Sequence, residues 1–122
     1  LEEMLPQEHI AVLIKEIGKV LSEWKQVDDT DSVLAYIFAA LVEGGIADGE
    51  YNYRTFHAAM REKFPDYNIS RGFDWAEAVY NAIMPNNDDS NLNVSEKHIV
   101  RGRKYARDIR LRLQSAINPN IG

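Results

Sequence analysis

The chain is 122 residues long, a single domain's worth on the usual prior of roughly 100–200 residues per domain. Hydrophobic residues make up 45% and charged residues 27%, an ordinary globular balance that excludes disorder over most of the length. The net charge is −5, so the whole chain is no magnet for polyanions, and the absence of cysteine excludes a disulfide scaffold, a thiolate zinc site and a Cys nucleophile together.

Helical spacing dominates in chain order. From Gln7 to Lys25, the residues Ile10, Leu13, Ile14, Ile17, Val20, Leu21 and Trp24 recur at three- and four-residue steps and form one wide apolar stripe. Pro6 suits the first turn, where its missing N–H costs nothing. A second helix should begin near Asp31, with Thr30 or Asp31 as its N-cap, and run to the Gly44-Gly45 stop. Val33, Leu34, Tyr36, Ile37, Phe38, Leu41 and Val42 make it apolar on most sides, the mark of a helix in the middle of a core. A third helix is expected from Tyr53 to Phe64, capped by Asn52 and ended by Pro65. A fourth follows a Ser70 cap, carries Phe73, Ala76, Val79, Tyr80 and Ile83, and stops at Pro85. Asn86 to Asn93 is a polar loop. Ser95 then caps a long fifth helix to about Ile117, with Ile99, Ala106, Ile109, Leu113 and Ile117 inward.

No stretch alternates with the period of two that a half-buried strand requires. The expected fold is therefore all-α: one compact domain of about five helices over residues 1–117, with 118–122 as a frayed tail. The longest apolar run, Val33 to Val42, is far short of the ~18 residues a membrane span needs. No basic stretch precedes an apolar segment at the start, so no signal peptide is expected, and a soluble cytoplasmic protein is the default.

Two loops have a shared pattern. In Ala47-Asp48-Gly49-Glu50-Tyr51-Asn52, a turn glycine is followed two places later by an apolar residue and then by a helix with Phe56, Ala59 and Met60 inward. In Asn87 to His98, Asn87, Asp89 and Asn91 bear oxygens at positions one, three and five, Val94 stands at eight and Ser95 at nine. This resembles the helix–loop–helix of an EF-hand pair over roughly residues 33 to 107. Departures are plain: Gly44, Ile46 and Thr55 stand at positions one, three and twelve of the first loop, while Leu92 and His98 replace the turn glycine and the bidentate Glu of the second. The resemblance therefore implies hands that keep the fold and lack tight metal binding. It also implies a groove that takes a partner helix. The simpler reading of the same residues makes them glycine turns and a solvated linker between ordinary core helices. Two further likenesses stand beside it. Ala47-Asp48-Gly49-Glu50 is similar to tellurite-resistance-type helical domains. Phe64-Pro65-Asp66-Tyr67-Asn68 followed by Gly72-Phe73 looks like the middle of a LOTUS-type winged helix.

Charge is unevenly placed. Ser95 to Leu113 holds seven cationic residues and two acids, so it carries +5 and leaves −10 for the rest. Arg103, Arg107 and Arg110 share one helix face, and Lys97, Arg101 and Lys104 another. Such a face either pairs with the protein's own acids or meets an acidic partner. A phosphate backbone is the lesser expectation, because the −10 body repels it.

Catalytic patterns are absent. His9, His57 and His98 fall on different predicted helices, and there is no phosphate-cradling glycine loop or Gly-x-Ser-x-Gly elbow. No enzyme, metal or cofactor is expected. The expectation is a small protein–protein interaction module, an adaptor, accessory or inhibitory subunit, with a nucleic-acid-binding regulator as the alternative. Candidate contact residues are Phe38, Met60, Phe64, Trp75 and Tyr80 along a groove, and Arg103, Arg107 and Arg110 on the basic helix. Trp75 falls off the apolar stripe of its helix, which suits an exposed contact.

Overall fold

The structure, a computed structural model, describes residues 1–47, 50–84 and 94–118. Two single 3₁₀ turns, Glu2–Met4 and Gln7–His9, lead into α1 (Ile10–Trp24). Then follow α2 (Thr30–Glu43), α3 (Tyr53–Lys63), a 3₁₀ turn at Pro65–Tyr67, α4 (Asp74–Ile83) and α5 (Glu96–Ile117). The all-α expectation holds, with five α-helices and no strand among the described residues.

The caps explain most of the boundaries. Ser95 accepts from the His98 N–H and starts α5, and Asn52 accepts from the Thr55 N–H and starts α3, as expected. At α2 the cap is Asp29 rather than Thr30 or Asp31. One carboxylate oxygen of Asp29 accepts from the Ser32 N–H at 3.0 Å and the other from the Ser32 hydroxyl at 2.8 Å. That double acceptance favours the residue three before Ser32 over its neighbours. Ser70 does not cap α4. The helix begins four residues later with no side-chain cap, and the Ser70 carbonyl instead accepts a bond from His57. Gly45 ends α2 in the left-handed region at φ 67°, where a Cβ would be strained.

α2 is the axis of the fold. Every residue from Ser32 to Leu41 is buried, because α1, α3, α4 and α5 all pack against it. Leu34, Ile37, Phe38 and Leu41 are each fully inaccessible, and burial of that kind stabilises by about 1.5–3 kcal/mol per side chain. α5 lies against α1, α2 and α4. Its close approach depends on Gly102. A Cβ there would sit 2.9 Å from Ile83 Cγ2 and 3.0 Å from Tyr36 Cε1, inside contact distance for both. Two buried polar side chains, Ser32 and His57, are both hydrogen-bonded. The His57 Nε2–H donates to the Ser70 carbonyl at 2.7 Å, so its Nδ1 accepts the Tyr53 hydroxyl proton at 2.9 Å.

Candidate functional site

Of the groove candidates, the structure brings Phe38 and Tyr80 together but not as a groove. Phe38 stacks on Phe56 at 4.7 Å and meets Tyr80 at 4.9 Å between ring centroids, wholly within the core. Met60 is equally inaccessible. Neither residue lines an open surface, which corrects the groove expectation: α2 is enclosed on all sides, and the inward face of α3 closes over it. Tyr80 is half-buried. Burial, and next the Glu43 carboxylate, push its hydroxyl pKa up, so it stays protonated. Phe64 is half-buried elsewhere, against Tyr67 and close to Gly18 of α1.

Trp75 is 40% exposed. Its indole N–H donates to the Ser32 hydroxyl at 3.2 Å, and its ring meets His98 edge-on at 5.5 Å. It borders a polar knot that ties α2 to the start of α5. The Tyr36 hydroxyl donates to Asp28 at 2.6 Å, since a carboxylate only accepts. His98 therefore supplies the proton of the 3.1 Å bond to Tyr36, from Nε2. Burial acts to raise the Asp28 pKa, but the hydrogen bonds from Tyr36 and from Asp29 outweigh it and hold the carboxyl below its ordinary range. Burial, reinforced by Asp28, pushes the Tyr36 hydroxyl far up. A phenol held protonated in this way is a tether between helices.

The basic helix divides into two sets of cations. Four guanidiniums are engaged by the protein itself. Arg101 pairs with Asp28 at 3.6 Å, and Arg112 bridges Glu16 and Glu23, each at 2.7 Å. Arg103 donates from Nε to the Ile83 carbonyl at 3.1 Å, answering an unpaired acceptor at the end of α4. Arg110 stands 3.5 Å from Glu43 at the end of α2. Lys97, Lys104 and Arg107 have no ion pair among the described residues and are exposed. They share the outer face of α5 with Val100, 61% exposed, and Leu111, 50% exposed. The steps Lys97, Val100, Lys104, Arg107 and Leu111 run three, four, three and four, so one solvent-facing stripe mixes cations with aliphatics. Val100 and Leu111 were open to detection in the sequence, because both fall off the inward stripe at the spacing of Lys104 and Arg107.

Arg103, Arg107 and Arg110 are brought together as their spacing demands. With Glu43 and Ile83 they line a recess of about 300 Å³ on the flank of this stripe. A wider hollow of about 660 Å³ lies at the far end of α5, where Leu111, Gln114 and Ile117 face Pro6, His9 and Ile46. Among the described residues no group of three or more His, Asp or Glu side chains is placed to hold a metal ion, and no helix is long and apolar enough to cross a membrane. Of the two loops that resemble EF-hand loops, residues 48–49 and 87–93 lie outside the described residues, as do Pro85 and the tail residues 119–122.

A small all-α domain, built on an enclosed central helix and flanked by a long cationic one, is the class this arrangement defines. The chain belongs to a family of unknown function, DUF6043, whose model matches residues 1–115. No curated protein and no solved structure matches it.

Proposed function

We propose that this domain is a non-catalytic protein-interaction module, an adaptor or accessory subunit that docks an acidic partner protein on the outer face of α5. The supporting observation is the stripe Lys97, Val100, Lys104, Arg107 and Leu111. Its three cations have no internal counterion among the described residues, and its two aliphatic side chains stand in water. Exposed aliphatics between cations suit a protein surface, which offers apolar contact as well as carboxylates. A phosphate backbone offers only charge to such a stripe, and the −10 carried by the rest of the chain opposes its approach. Cationic side chains on this face speed encounter and fix orientation, while Val100 and Leu111 supply apolar area.

The test is affinity capture from native extract with and without nuclease, using the wild-type chain and a Lys97→Glu/Lys104→Glu/Arg107→Glu variant. The reading expects a protein partner that survives nuclease treatment and is lost with the variant. Capture that vanishes on nuclease treatment transfers the role to the nucleic-acid reading.

A further inference from the structure

The recess between the ends of α2 and α4 and the flank of α5 contains three guanidiniums and one carboxylate. Arg103 and Arg107 are separated by about 6 Å along the helix axis, and Arg107 and Arg110 by about 4.5 Å. Two of the three are already oriented. Arg103 is fixed by the Ile83 carbonyl at 3.1 Å, and Arg110 is drawn toward Glu43. Orientation before binding lowers the entropy lost when a ligand arrives. Arg107 lies between them in sequence, exposed and without an ion pair among the described residues. The recess therefore has a local excess of two positive charges in about 300 Å³.

The Glu43 contact is the informative one. Its closest approach to Arg110 is 3.5 Å through a single oxygen, where a fork-to-fork carboxylate pair reaches 2.7–2.9 Å twice. Elsewhere on the same helix, Arg112 meets both of its carboxylates at 2.7 Å. Glu43 and Arg110 are each roughly 30% exposed, so water and a competing anion reach the pair. Glu43 thus half-fills a site for an oxyanion without saturating it.

We infer that this recess receives a carboxylate side chain from an acidic segment of the partner protein, with Arg107 as its principal contact and Glu43 as a displaceable internal competitor. A carboxylate is the anion that an acidic protein segment lying along the Lys97–Leu111 stripe presents at this point. One such group offsets half of the excess charge beside Glu43, and the exposed Val100 and Leu111 on the adjoining face favour a protein segment over a bare phosphate. This inference rests on the docking face proposed above and adds the chemistry of one contact point within it.

The probe is a fluorescein-labelled decaglutamate peptide, titrated at low ionic strength with the full chain and read by anisotropy, with inorganic phosphate and a phosphoserine peptide as competitors. Arg107→Ala should weaken binding about tenfold, and Arg107→Lys, which keeps the charge but loses the fork, about threefold. Glu43→Gln should tighten binding about threefold, because it removes the internal competitor and its repulsion of the peptide. Thermal unfolding of each variant separates binding from loss of fold. Arg107 belongs to both surfaces, so Arg110→Ala, which should also weaken binding, and Glu43→Gln separate them. Binding that Lys97→Glu/Lys104→Glu weakens, but that neither Arg110→Ala nor Glu43→Gln alters, overturns the recess and leaves the docking face standing. Decaglutamate that binds none of the folded proteins overturns both. Displacement by the phosphoserine peptide at lower concentration than by an equivalent glutamate peptide overturns the choice of carboxylate over phosphate.

Discussion

Gly102 is the point where the packing can be tested most sharply, because two general effects oppose each other there. Replacing a helix-interior glycine with alanine ordinarily stabilises by about 0.8–1 kcal/mol through helix propensity alone. At this position the new methyl would lie 2.9 Å from Ile83 Cγ2 and 3.0 Å from Tyr36 Cε1. Neither neighbour is free to withdraw. Ile83 is buried against the core, and the Tyr36 ring is pinned through its hydroxyl by Asp28 and His98. Inserting a methylene into such packing costs about 1–3 kcal/mol. The balance predicts that Gly102→Ala destabilises by about 1 kcal/mol, lowering Tm by about 3–6 °C in a domain of this size. Urea unfolding followed by tryptophan fluorescence measures it, with Trp24 and Trp75 on separate helices as reporters. Gly18→Ala is the control, since its methyl meets only the edge of the half-buried Phe64 ring at 3.3 Å, and it should be neutral or stabilising. If Gly102→Ala instead stabilised the protein by the full propensity gain, α5 would not cross α2 and α4 this closely, and the close packing around Gly102 would be refuted.

Two further predictions concern buried polar contacts. Tyr53→Phe removes the proton donor to Nδ1 of the buried His57 and should cost about 1–3 kcal/mol by leaving that nitrogen unsatisfied, as measured by chemical denaturation. The Asp28 carboxyl has a folded-state pKa below its ordinary 3.8, so its contribution to stability is present above that value and lost as pH falls through the lower, folded one. The stability difference between wild type and Asp28→Asn should therefore be constant near neutrality and shrink only in the acid range below about pH 4; a difference that grows with acidification would contradict the Tyr36–Asp28 bond.

Much of the fold could be read in advance because it depends on local chemistry. Asn52 and Ser95 cap the helices that follow them, since each stands three residues before an unpaired N–H. Leu34, Ile37, Phe38 and Leu41 marked α2 as central, since no side of it is polar enough to face water. Local chemistry is ambiguous at Asp28-Asp29-Thr30-Asp31-Ser32, where several adjacent side chains are competent caps. The choice of Asp29 is settled by a second bond to the Ser32 hydroxyl, which also takes the Trp75 indole from a distant helix. Ser70 misled for a related reason: its role is to offer a carbonyl to His57, a partner thirteen residues away.

The site was half readable. Spacing placed Arg103, Arg107 and Arg110 on one face, and the structure brings them to one recess. Spacing cannot tell that Arg103 terminates α4, or that Glu43 from the end of α2 arrives beside Arg110. Phe38 and Met60 show the opposite failure. Large apolar residues at helical steps signal a face that is covered, but not whether another helix of the same chain or a partner covers it. Here α3, α4 and α5 enclose α2, so both side chains are interior.

An NMR titration of isotope-labelled protein with decaglutamate tests the central claim most directly. Docking on the cationic helix predicts that the largest amide shifts run through Lys97, Val100, Lys104, Arg107 and Leu111, with α3 and the body of α1 unmoved. Shifts concentrated in the hollow formed by Pro6, His9 and Ile46, or spread evenly over the surface, would contradict it.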